Sequence, residues 1–177
     1  IDDVEYRNYA SGTYANERRT IEVSLEESKL LPELEGQAQP AVRIKVNAPS
    51  EEVVTKLSGT IIHALAERDA ELEIQTPLAN YIIPASELST AVLLPQFSAA
   101  EDAEDIAAEV LIAKGSEELV QLAETAARSE KFMLVEQPVE FTIIFSDGEE
   151  FREKPYFRRY LHRELPLPDG VKQEEIT

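Results

Sequence analysis

The chain has 177 residues, 43% of them apolar, which is enough for a packed core and too many for a disordered segment. It contains no cysteine, which excludes a disulfide framework, thiolate metal sites and a thiol nucleophile, and which fits an exported protein. A net charge of −18 repels phosphate backbones and anionic lipid heads, so nucleic acid and membrane surfaces are not expected as partners.

Residues 1–16 are polar and aperiodic, with Tyr6, Tyr9 and Tyr14 able to dock, and read as a linker or lead-in segment. A strand, a short capped helix and a return strand then recur. In the first copy Ile21, Val23 and Leu25 alternate, Ser24-Leu25-Glu26-Glu27 has the form of a capping box, and Pro32 limits the helix to one or two turns. Val42, Ile44 and Val46 form the return strand. In the second copy, residues 52–57 are extended and Ser58 caps a helix with Ile61, Ile62 and Leu65 on one face. Leu72 and Ile74 continue as a strand, turn at residues 77–80, and pair back through Tyr81, Ile82 and Ile83. Ser86 is expected to cap a short helix through Leu88, Val92 and Leu93. In residues 74–100 the one charge is Glu87; Pro77, Pro84 and Pro95 make this stretch a hairpin and short helix, not a membrane span.

In the third copy Val110 and Ile112 alternate, and Ser116 caps a helix with Glu117 and Glu118 in its first turn, where the helix dipole favours them. Leu119, Leu122, Ala123 and Ala126 are expected to face inward, and Phe132 and Leu134 to begin the return strand. Val139, Phe141, Ile143 and Phe145 alternate into Asp147-Gly148, a pair suited to a type I′ hairpin turn, with Phe151 on the outgoing arm. Residues 157–165 read as a last strand, with Phe157, Arg159, Leu161 and Arg163 on one face. The expected class is α+β, built from recurrent strand–short helix–strand units with β-hairpins and mixed sheets. The recurrence of about 25–30 residues would also suit a solenoid. The loops differ, however, so two small lobes are expected, residues 17–97 and 98–177, meeting near residues 96–105.

No constellation points to catalysis, a cofactor or a metal. There is no nucleophile elbow and no phosphate-binding glycine loop, and with 35 acids carboxylate pairs carry no signal. His63 and Glu67 stand four apart on a helix, but no third ligand is recognisable. The acids Glu101, Asp102, Glu104 and Asp105 lack the spacing and glycine of a calcium loop and read as a charged connection. The anomaly is the C-terminal segment 151–163. Arg152, Lys154, Arg158, Arg159 and Arg163 stand against one acid, a local charge of +4, with Tyr156, Phe157 and Tyr160 interleaved. Arg152, Lys154, Tyr156, Arg158, Arg159, Tyr160 and Arg163 form the candidate interaction surface. The competing reading is internal pairing with residues 98–130, whose local charge is −7.

Three stretches resemble the uncharacterised α+β module found beside S-layer homology domains in Bacillus- and Paenibacillus-type surface proteins. They are Leu72-Glu73-Ile74-Gln75-Thr76 with Tyr81-Ile82-Ile83-Pro84-Ala85-Ser86-Glu87-Leu88, then Pro138-Val139-Glu140-Phe141-Thr142, and last Phe157-Arg158-Arg159-Tyr160-Leu161 with Leu165-Pro166-Leu167-Pro168-Asp169-Gly170-Val171. The resemblance spans roughly residues 40–171 and implies a secreted protein held on the cell wall by repeats elsewhere in a longer chain. The motif of those repeats is not in this sequence, so wall binding is not transferred to it. The module has no assigned catalytic residues. The resemblance also implies that a further strand follows Val171. In keeping with this, Ile1-Asp2-Asp3 and Lys172-Gln173-Glu174-Glu175 read as boundaries of an excised piece. The expected function is a non-catalytic spacer whose partners are neighbouring domains of the same protein. A carbohydrate-binding or adhesion module, contacting cell-surface glycan through residues 156–163, is the alternative, and a hydrolase using Asp and Glu is a third.

Overall fold

A computed structural model describes residues 19–131, 133–154, 156–168 and 170. The chain is α+β, as the alternating patterns predict, with nine strands in two mixed sheets and three α-helices among the described residues. The lead-in segment 1–16 and Phe132 lie outside them.

The first two units repeat in space. Strand β1 (Thr20–Ser24), helix α1 (Glu27–Leu34) and β2 (Ala41–Lys45) are followed by β3 (Glu52–Leu57), α2 (Gly59–Glu67) and β4 (Glu71–Gln75). In each unit the helix carries the chain from one sheet to the other, so β1 pairs in parallel with β3 and β2 in parallel with β4. Parallel neighbours need such long crossovers, and two helices supply them. β4 turns into β5 (Asn80–Pro84) as the expected antiparallel hairpin.

The third unit is different. β6 (Ala107–Lys114), α3 (Glu117–Glu130) and β7 (Val139–Ser146) stay in one sheet, where β6 pairs antiparallel with both β3 and β7. β8 (Phe151–Glu153) continues that sheet, and β9 (His162–Glu164) crosses to the other and pairs with β5. The orders are β1-β3-β6-β7-β8 and β2-β4-β5-β9. Each sheet thus draws strands from both sides of residue 97, and the pairing does not follow the expected division at 97/98. Hydrophobic alternation shows which residues a strand buries; it carries no information on which strand lies beside it.

The inward faces of both sheets and the apolar sides of α1 and α2 form one buried cluster. Helix α2 lies at its centre, with Ile61, Ile62 and Leu65 fully buried. Ser58 caps it as expected, its Oγ accepting from the Ile61 amide at 3.3 Å. Ser116 caps α3 in the same way, accepting from the Leu119 amide at 3.3 Å.

Several local expectations are corrected. Ser24 does not cap α1, because its backbone is held in the β1–β3 ladder opposite Lys56; Glu26 is the N-cap residue, with no side-chain cap bond. Pro32 stands inside α1, whose two turns are within the expected length. In place of the helix after Ser86 there is a 3₁₀ turn, Ala85–Glu87, because the Ala85 amide still donates to the Ala70 carbonyl; Val92 is exposed. The Asp147-Gly148 turn is not a two-residue type I′ loop. Ser146 pairs with Phe151, and the Asp147 carboxylate accepts the amides of Glu149 and Glu150, which closes a four-residue loop. Leu134 is exposed and outside any strand. The last strand is only His162–Glu164. On α3, Leu122 and Ala126 face solvent, while Leu119, Ala123 and Ala127 are half-buried.

One close approach fixes the core. A Cβ at Gly59 would lie 2.0 Å from the Glu104 carbonyl oxygen, so only glycine lets the start of α2 pack on the turn Ala103–Asp105. Replacing Gly59 by Ala should therefore destabilise the fold by about 2 kcal/mol or more in urea denaturation, despite alanine's better helix propensity. A gain of about 1 kcal/mol, the propensity term alone, would contradict this packing.

Candidate functional site

The C-terminal basic segment runs from β8 in one sheet to β9 in the other, and most of its charges are engaged on the way. Arg152 pairs with Glu150 at 2.6 Å. Lys154 lies 3.6 Å from Glu87 and 5.4 Å from the Phe157 ring centroid. Arg159 donates to Asp69 at 3.1 Å and Ser86 at 3.3 Å. The Arg163 guanidinium lies 5.3 Å from the ring of Tyr81 and 5.0 Å from that of Phe141, which meet edge-on at 5.0 Å across the two sheets. The pairing is internal, one of the two readings of this segment, but its acidic partners lie outside residues 98–130.

The residue that organises the segment is Glu87. It is 4% exposed, and its carboxylate accepts the backbone amides of Arg158 at 3.1 Å and Arg159 at 2.9 Å, with Lys154 beside it. Two amides and an ammonium give the buried carboxylate the hydrogen-bond partners that burial takes away. Burial pushes the Lys154 pKa down and the Arg158 charge adds to this, while Glu87 works against both. Sequence reasoning missed this role. The available signal was that Glu87 is the one charge in the 27 positions 74–100.

The segment sorts into two sets. Phe157 and Leu161 pack on the core and Arg159 is tied down, while Tyr156, Arg158 and Tyr160 point outward. Tyr160 is fully exposed, and the Arg158 side chain makes no ion pair among the described residues.

The remaining candidates are occupied with local structure. His63 and Glu67 share a helix face at 3.4 Å, both exposed. Among the described residues no three His, Asp or Glu side chains gather closely enough to hold a metal. In the acid cluster, Asp102 and Asp105 form a capping box on the turn Ala103–Asp105. The Asp105 carboxylate takes the amides of Asp102 and Glu101, which hold its pKa down. An open groove of about 260 Å³ lies beside Lys45, Asn47, Gln75 and Thr76 at the ends of β2 and β4. Its Thr76 hydroxyl is used in the β4–β5 turn and its Gln75 amide donates to Glu73.

On the outer face of the second sheet, Glu73 accepts from Arg43 at 2.6 Å, Gln75 at 2.7 Å and Asn80 at 3.1 Å. Burial raises its pKa, but these bonds and the Arg43 charge outweigh burial and leave it lowered.

Two outcomes are expected. Glu87→Ala leaves Lys154 and two amides without their acceptor and should cost about 3 kcal/mol in chemical denaturation; a loss below about 0.5 kcal/mol would show that the contact is dispensable. Glu73 binds fewer protons folded than unfolded wherever its lowered pKa lies below the unfolded value. The stability it contributes is present above the unfolded value and is lost as pH falls through the folded one. Glu73→Gln should therefore flatten the acid limb of the stability–pH curve, and an unchanged limb would contradict the assignment.

In comparisons with protein-family models, curated proteins and solved structures, nothing matches the chain.

Proposed function

We propose that this chain is a non-catalytic structural module, a spacer within a secreted, cell-wall-associated protein of the S-layer type. Its partners in this reading are neighbouring domains of the same protein. The observation that carries it is the use made of the basic segment. Lys154, Arg159 and Arg163 are each bonded or stacked against the body of the protein, Arg152 pairs with Glu150 of its own hairpin loop, and buried Glu87 clamps the backbone at Arg158 and Arg159. A module that passes its chain on to a neighbour needs its terminal segment anchored, and this segment is anchored at both sheets. The surface location rests on the three stretches described above and on the absence of cysteine.

A second reading, a carbohydrate-binding or adhesion module, is favoured by one observation: Tyr156 and Tyr160 are exposed, as aromatic platforms for sugars are. Calorimetry separates the two. The spacer reading predicts no saturable heat with neutral or wall-derived oligosaccharides, for the wild type and for Tyr156→Ala/Tyr160→Ala alike. Saturable binding that the double variant loses would overturn it in favour of the second.

A further inference from the structure

Two surfaces are left unused by the fold, and they are opposite in charge. One is the ledge of Tyr156, Arg158 and Tyr160. Its backbone is held by Glu87, so the three outward side chains stand on a fixed support. Arg158 is the one cation of residues 151–163 without an anionic or aromatic partner among the described residues, and its charge already presses on Lys154. Tyr160, at 102% exposed, has no cover at all.

The other surface is on α3. Glu118, Leu122, Ala126 and Glu130 recur every four residues and so form one ridge of the helix. All four are exposed, Leu122 to 66%. The adjoining ridge of Leu119, Ala123 and Ala127 is the half-buried side facing the protein. Neither Glu118 nor Glu130 makes an ion pair among the described residues; the Glu–Arg pair of this helix, Glu124–Arg128, lies on its other side. The acids flank an apolar centre in which alanine allows close approach. The ridge spans about 18 Å, room for the ledge's three side chains.

The sequence places a basic aromatic segment and an acidic segment in one chain, and the fold does not bring them together. We propose that they meet between copies: the Tyr156–Arg158–Tyr160 ledge of one molecule docks on the Glu118–Leu122–Ala126–Glu130 ridge of a second. The tyrosines cover Leu122 and Ala126, and Arg158 meets a flanking glutamate. Two copies of the ridge do not suit each other, since an antiparallel pair would set Glu118 against Glu130. The ledge supplies the missing cation. The two patches are different surfaces, so the contact is heterologous and extends into open chains instead of closing a dimer. It is small and works against the mutual repulsion of molecules carrying −18 each, so the affinity is weak, on the order of 0.1–1 mM.

Charge exchange tests this with the full chain. In sedimentation velocity at rising concentration, the wild type should associate. Arg158→Glu should weaken association by about tenfold or more, as should Glu118→Lys/Glu130→Lys. An equal mixture of the two variants should recover it, because the acidic ledge of one then faces the basic ridge of the other. All three positions are exposed, and circular dichroism checks that each variant is folded. A wild type that stays monomeric to about 1 mM overturns the proposal and leaves the ledge to the glycan reading. Variants that associate like the wild type overturn it too, by placing the contact elsewhere. A mixture that stays monomeric shows that ledge and ridge do not meet.

Discussion

A carboxylate removed from water must be met by donors, and Glu87 is met by two backbone amides and an ammonium. The path of the segment between β8 and β9 depends on that arrangement. After the Lys154 amide makes a last bond to the Ile143 carbonyl of β7, the backbone must leave one sheet and reach the other. Glu87 sits on the 3₁₀ turn that follows β5, and so presents its oxygens where the segment passes. Removing a carboxylate from water costs several kcal/mol, and only charge-assisted bonds of good geometry offset it. The acid therefore specifies one path more than it adds net stability. Phe157 and Leu161 then pack on the core, and Arg163 lies over Tyr81 and Phe141 where the two sheets meet.

That anchoring matters because the two sheets are interleaved along the chain. β1 and β3 belong to one and β2 and β4 to the other, with α1 and α2 carrying the chain across, and β9 returns to the second sheet after three strands in the first. Both inner faces bury into one cluster around α2. Neither sheet can be released without breaking the connections of the other. The spacer reading draws on this: a load applied at either end would reach a core that shares it. α3 stands apart from this economy. It is fixed at its start, where the Gly115 amide bonds the Pro138 carbonyl and the Ser116 amide bonds Glu140, and it buries no residue fully.

Much of the local structure was legible in the sequence, and the reasons are physical. Strands with one buried face alternate, so Ile21/Val23, Val42/Ile44, Leu72/Ile74 and Ile143/Phe145 marked themselves. Ser58 and Ser116 cap because each stands just past the end of the strand before it, outside the ladder. Ser24 carried the same signature and failed because a ladder already held it. The strand order was not legible, since pairing between β3 and β6 or β5 and β9 depends on contacts far apart in sequence. The helical spacing of Leu119, Leu122, Ala123 and Ala126 picks out one apolar face of α3, but two apolar ridges adjoin there and the protein covers the one through Leu119, Ala123 and Ala127, leaving Leu122 and Ala126 outside. The candidate surface was found by composition, but its division was not: Arg159 is tied to Asp69 and Arg163 lies over Tyr81 and Phe141, both remaining exposed, while Arg158 has no such partner among the described residues. A lone acid in an apolar stretch is the signal to weigh more heavily, because such a residue survives there only with partners.

The account turns on the segment after β8 being locked by Glu87 and not merely lying across the surface. Native-state hydrogen exchange of the Arg158 and Arg159 amides measures this directly. The account predicts that both exchange only with global unfolding, at the same free energy as core amides of β3 and β6. Exchange of these two amides at free energies near zero, while the β3 and β6 amides stay protected, would contradict it.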